Sequence, residues 1–127
     1  MSGALYEGFV PGRHLLDAVG NGGFRFADMS HRGSILILPS GIHAWDALTP
    51  ADFTVEAFNA VIAEASEIDF LLIGTGKNPA FIEEPVKWKF REAHIGFDAM
   101  TTTAAARTYN VLANEGRRVA AALLVVD

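Results

Sequence analysis

The chain contains no cysteine. Disulfides, thiolate metal sites and a cysteine nucleophile are therefore excluded, and a reducing compartment is compatible with the sequence. A basic excess is also missing: 10 Lys and Arg stand against 15 Asp and Glu, a formal net charge of −5. Such a chain carries no electrostatic footprint for nucleic acid. Long polar tracts are absent, so disorder is not expected. The longest apolar run, Val119 to Val126, is too short to span a bilayer as a helix. Met1 to Val10 lacks a basic stretch followed by an apolar one, so no secretory signal is read and a cytoplasmic location is expected.

What remains is an ordinary globular composition, 50% hydrophobic and 20% charged over 127 residues. That length fits one domain, residues 1–127, able to bury a core without metals or disulfides. The two halves differ in pattern. From Gly8 to Asp46, frequent glycines separate short β-like runs at His14 to Val19, Phe24 to Ala27 and Ser34 to Leu38. Gly20-Asn21-Gly22-Gly23 supplies the positive φ angles of a tight turn. This half reads as an antiparallel meander.

The second half reads as a helix followed by β-α-β-α-β. Thr49-Pro50 opens a helix expected to run to about Ala65. Ile68 to Ile73 is nearly continuous in apolar character, as in a strand covered on both faces. Pro85 starts the next helix, with Glu83 and Glu84 at its positive end and Lys87, Lys89 and Arg91 further along. Ile95 to Met100 is a second strand. Thr101 or Thr102 caps a last helix that ends at Gly116, before a third strand over Val119 to Val126. The fold class is α/β, with α+β character in the N-terminal half. Its three expected layers are the meander, a mixed sheet and helices gathered on one face, with right-handed crossovers.

In open α/β sheets, ligands collect at the carboxyl ends of strands. Two loops qualify here, Gly74-Thr75-Gly76 and Thr101-Thr102-Thr103. Glycines let backbone N–H groups approach a ligand, and a helix N-terminus favours an anion. A phosphate-binding loop would need glycine at position 71 and Ser or Thr at 78, where the chain has Leu71 and Asn78. A dinucleotide fingerprint would want glycine or alanine where Pro79 stands. The plainer reading is a tight turn leaving a strand.

Thr103, Arg107, Asn110 and Asn114 form one stripe of the last helix, starting beside the second loop. Arg107 is placed to reach an anion bound there, although such stripes are commonly solvated faces. The candidate ligand site is thus Gly74, Thr75, Gly76, Thr101, Thr103, Arg107 and Asn110, with anions or nucleotides as its ligand class. On the preceding helix, Val86, Phe90 and Ala93 share a face and Trp88 points roughly opposite, near Lys87 and Arg91. Those three residues are a candidate protein-binding patch. The alternative is a tryptophan folded onto the loop around Phe81.

No catalytic constellation is read. His14, His31, His43 and His94 lack metal-ligand spacing, and Ser34 lacks the second glycine of a nucleophile elbow. Glu83 and Glu84 suit capping better than paired acid and base, and Asp46 suits a cap or turn. No metal and no cofactor are expected.

Three segments in order carry a family resemblance. They are Ser34 to Asp46, Ile68 to Gly76, and Arg107 to Leu112 with Glu115 to Val119. Together they resemble the small Mth-type α/β family that includes mitochondrial NADH:ubiquinone oxidoreductase (complex I) assembly factor 3 and the adipogenesis-associated Mth-type domain protein. The resemblance covers about Gly22 to Val126. It implies a three-layer fold, no established enzymatic activity, and a mitochondrial relative acting by association during complex I assembly. The chain departs from the pattern at Ala106, where a cysteine is common. The leading function is therefore a non-catalytic interaction or assembly protein with protein partners, linked through the resemblance to respiratory complex I biogenesis. A small-molecule binder or an unrecognised enzyme using the candidate cleft is the alternative, and a second copy of the chain is a third candidate partner.

Overall fold

The computed structural model describes residues 8–127; Met1 to Glu7, most of the stretch read for a secretory signal, lies outside the described residues. The N-terminal half forms β1 (Phe9–Pro11), β2 (Ala18–Gly20), β3 (Gly23–Phe26), β4 (Met29–Arg32), β5 (Ser34–Leu38) and β6 (Gly41–Trp45). The second half contains α1 (Asn59–Ala63), β7 (Phe70–Gly74), α2 (Glu84–Glu92), β8 (Gly96–Met100), α3 (Thr102–Asn114) and β9 (Val119–Leu123).

The meander β2-β3-β4 is a small antiparallel sheet of its own. Its first turn holds Gly20, Asn21 and Gly22 at positive φ, as the glycine-rich run implies. The main sheet has the order β1-β6-β5-β9-β7-β8. In it β7 runs parallel to both β8 and β9, and β5 runs antiparallel to β9. Ser34–Leu38 and Val119–Leu123 are buried at every position, as strands covered on both faces are, and their near-continuous apolar sequences follow from that burial.

The mixed three-layer α/β arrangement is as the sequence implies, with one difference. The helices do not share a face. From β7 the chain steps outward to β8, then returns past β7 to β9. Right-handed crossovers made in opposite directions place their helices on opposite faces. Val86 and Phe90 of α2 accordingly pack with Leu71, Ile73, Ala120 and Ala122. Ala105, Ala106, Tyr109 and Ala113 of α3 pack with Leu72, Ala121 and Leu123, beside Phe24 and Phe26 of the small sheet. The meander and α3 therefore share one outer layer.

Two expected elements differ. The helix expected from Pro50 to Ala65 is a series of short turns, Pro50–Asp52, Glu56–Phe58, α1 and Ala65–Glu67. Trp45 has both Phe53 and Phe58 as ring neighbours, at 5.9 and 5.5 Å. Residues five apart on an unbroken helix lie about 140° apart around its axis, so the chain breaks between them. The Asp52 carboxylate closes the first turn by accepting the N–H groups of Leu48 and Thr49, bonds that hold its pKa below the usual value. Thr54 Oγ1 starts the next by accepting the Ala57 N–H. The strand expected over His14 to Val19 is confined to Ala18–Gly20. Its first residues are held by α3 instead: Asn110 accepts the Leu16 N–H and donates to Leu16 O, both at 2.8 Å, and the Tyr109 hydroxyl donates to His14 O.

Candidate functional site

The loops after β7 and β8 leave adjacent strands toward opposite faces, the arrangement that opens a crevice in doubly wound sheets. Here the two loops meet and bond to each other. The Thr75 N–H donates to Met100 O at 2.8 Å, and the Thr75 hydroxyl donates to Asn78 O at 2.7 Å. Gly76 and Thr102 bond reciprocally: the Gly76 N–H donates to Thr102 Oγ1, and the Thr102 N–H to Gly76 O, both at 2.9 Å. The Thr102 hydroxyl then donates to Leu124 O at 2.8 Å.

The glycines serve this joint in different ways. A Cβ on Gly74 would stand 2.9 Å from Thr102 Cα, Thr102 Oγ1 and Leu123 Cδ2, so only glycine lets α3 start this close to the strand. Gly76 has open space around it but sits at φ +95°, a conformation glycine adopts without strain. Thr101 occupies the helix N-cap position, yet no side-chain cap bond forms. The threonine hydroxyl expected to cap the helix is spent at Thr102 on tying three segments together.

The remaining candidate residues lie elsewhere. Thr103 and Arg107 are exposed on α3 and, with Asn110 and Leu16 to Val19, line a groove of about 230 Å³. The open side of Thr75 and Gly76 faces Leu48 to Pro50 and Val125 to Asp127, across a separate hollow of about 290 Å³. The sequence-derived site thus divides into a joint, Gly74 to Gly76 with Thr101 and Thr102, and a groove at Thr103, Arg107 and Asn110. The Asn110 amide is committed to Leu16. Burial pushes the Tyr109 phenol up, against the pull of nearby Arg13. Among the described residues, no group of three or more His, Asp or Glu is placed to hold a metal ion.

Thr102, expected as a loop residue or a cap and left out of the candidate ligand site, is the residue that joins the two loops. Its signal was helical phase: it lies three, four and seven positions before Ala105, Ala106 and Tyr109, all buried, and is itself 0% exposed.

The second patch is open. Trp88 is 56% exposed on the outward face of α2, opposite buried Val86 and Phe90. Phe81 is 99% exposed, so it does not cover Trp88. Lys87 and Arg91 both face Glu84, at 3.5 and 3.7 Å, which leaves an aromatic ring framed by a small mixed-charge cluster.

This geometry has relatives. A crystal structure described as an outer membrane protein from Bartonella henselae superposes with a TM-score of 0.89 at 50% identity, covering 92% of this chain and 98% of that one. A Mth938-like domain from Bordetella pertussis gives 0.77 at 28% identity, covering 87% and 85%. NADH dehydrogenase [ubiquinone] 1 alpha subcomplex assembly factor 3 from Mus musculus is 26% identical over 121 residues; the match takes in 95% of this chain but only 65% of that factor's length. The model of the family described as "Protein of unknown function (DUF498/DUF598)" matches residues 16–124. With its Mth938-like fold and complex I assembly factor relatives, this chain belongs to that family.

Proposed function

We propose that this chain is a non-catalytic interaction or assembly protein, with respiratory complex I biogenesis as the process to test first. The exposure of Trp88 beside Lys87 and Arg91 carries the reading, because Trp and Arg are among the residues enriched at the hot spots of protein interfaces. Similarity to a complex I assembly factor points the same way. A pull-down from a membrane-containing lysate should recover a specific partner, and Trp88→Ala should weaken it about thirtyfold, the scale of a 2 kcal/mol anchor. Equal recovery by both forms removes the patch; no specific partner with either removes the reading.

A cytoplasmic location belongs to the same proposal. Among the described residues no helix is long and apolar enough to cross a membrane. Cell fractionation checks the location, and recovery in the outer-membrane fraction would refute it.

The second reading is an anion or nucleotide binder. The open flank of the Gly76 loop and the Arg107 groove both remain parts of it, but Arg107 favours the groove: it is exposed and has no ion pair among the described residues. Thermal-shift screening against inorganic phosphate, carboxylates and nucleotides tests this. A ligand at a hundred times its Kd adds about 2.7 kcal/mol of stability, and Arg107→Ala should abolish the shift. A flat response across that set ends the reading. Whether a second copy is a partner is decided by light scattering.

A further inference from the structure

The main sheet ends in β1 on one side and β8 on the other, and the two edges are built differently. In β1, Gly8 O and the Gly12 N–H bond inward to Ala44 and Ser40. Strand alternation then turns the backbone groups of Phe9 and Pro11 outward, and Pro11 has no N–H to offer. That edge is short and blunted, as protected edges are. In β8, the Gly96 N–H bonds to Asp69 O and Met100 O accepts the Thr75 N–H. Gly96, Asp98 and Met100 therefore face β7, while the N–H and C=O groups of Phe97 and Ala99 face the open side. Five residues long and without proline, β8 carries none of the blunting seen in β1.

The open edge is held firmly. Phe97 packs against Phe90 with ring centroids 5.3 Å apart, and Ala99 joins the same cluster. Asp98 pairs in register with Leu72, so it projects on the α3 face; it is exposed and has no ion pair among the described residues.

An edge with unpaired backbone groups is a template for an added strand. Charge selects which strand. A second copy of β8, paired antiparallel on Phe97 and Ala99, would set two Asp98 carboxylates directly opposite each other. That position is a non-hydrogen-bonded pair, with Cα atoms about 4.5 Å apart, and like charges there oppose pairing. A strand with Lys or Arg at the same position gains an ion pair instead. We propose that the β8 edge docks an extended segment of a protein partner, antiparallel to β8, with a basic residue opposite Asp98. The proposal rests on the interaction reading above and gives that reading a second surface, distinct from Trp88.

Phage-displayed random heptapeptides selected on the folded chain supply the probe. Enriched peptides should place Lys or Arg between β-branched residues and slow exchange of the Phe97 and Ala99 amides at least tenfold. Ala99→Pro removes one outward N–H, a substitution edge strands tolerate, and should weaken the selected peptides at least tenfold. Asp98→Lys, an exposed change that keeps the test alive if the proline variant fails to fold, should switch the enriched central residue to Asp or Glu. Peptides that bind both variants as well as the parent overturn the edge and leave the interaction reading standing. No enrichment also overturns the edge, and the Trp88 pull-down then decides the interaction reading separately. Concentration-dependent dimers abolished by Ala99→Pro would show a second copy on the β8 edge and overturn the proposed occupant.

Discussion

Phe90→Ala is expected to destabilise the protein by about 3–5 kcal/mol, the range for emptying a buried aromatic site. Phe90 is 0% exposed. Its ring meets Phe58 edge-on at 5.2 Å and tilts against Phe97 at 5.3 Å, so one side chain joins α2, the turn before α1 and the edge strand β8. The cavity left by alanine opens among three elements that the sheet and its turns hold in place, which limits collapse. Urea titration followed by tryptophan fluorescence checks this, because Trp45 stacks in the same aromatic cluster. The midpoint should fall with an unchanged slope. A loss under about 1.5 kcal/mol, the cost of a volume-conserving swap, would show that the site repacks and that Phe90 is not the joint described.

The second large effect concerns the closed crevice. Thr102→Val keeps the side-chain shape and removes the hydroxyl. The Gly76 N–H then loses its acceptor and Leu124 O its donor. A buried group left unmatched, such as Leu124 O, costs about 1–3 kcal/mol, and the half-buried Gly76 N–H costs less, so a loss of roughly 2–4 kcal/mol is expected. Thr102→Ser keeps both bonds and gives up one methyl, which should cost less. Chemical denaturation of the two variants side by side is decisive: serine as damaging as valine would mean that packing, not the hydroxyl, holds the loops together.

The sequence made the strands legible wherever burial on both faces wrote a continuous apolar run, as at Ser34–Leu38 and Val119–Leu123. α2 was legible through Pro85 and the order of its charges. Gly116, at φ +79°, marks the end of α3, with the Gly116 and Arg117 N–H groups bonding back to Ala113 and Leu112. Less legible was any feature decided by tertiary partners. The break between Phe53 and Phe58 depends on where Trp45 lies, and the tether at Leu16 depends on Asn110, far along the chain. Which face each helix takes depends on strand order, and no local pattern encodes that. For the candidate site, the meeting of the Gly74 and Thr101 loops followed from the β-α-β reading. Their closure did not, because three consecutive threonines look alike until helical phase singles out Thr102.

The position of β9 has a consequence for biosynthesis. It lies between β5 and β7, yet it is translated after both. Until Val119–Leu123 is available, β5 and β7 lack the neighbour they share, and the two sides of the sheet, β1-β6-β5 and β7-β8, cannot join. Pairings as distant in sequence as Ile35 with Leu123 close late and slowly. The interval before that closure is when this protein is most exposed to aggregation, and when a chaperone has most to hold.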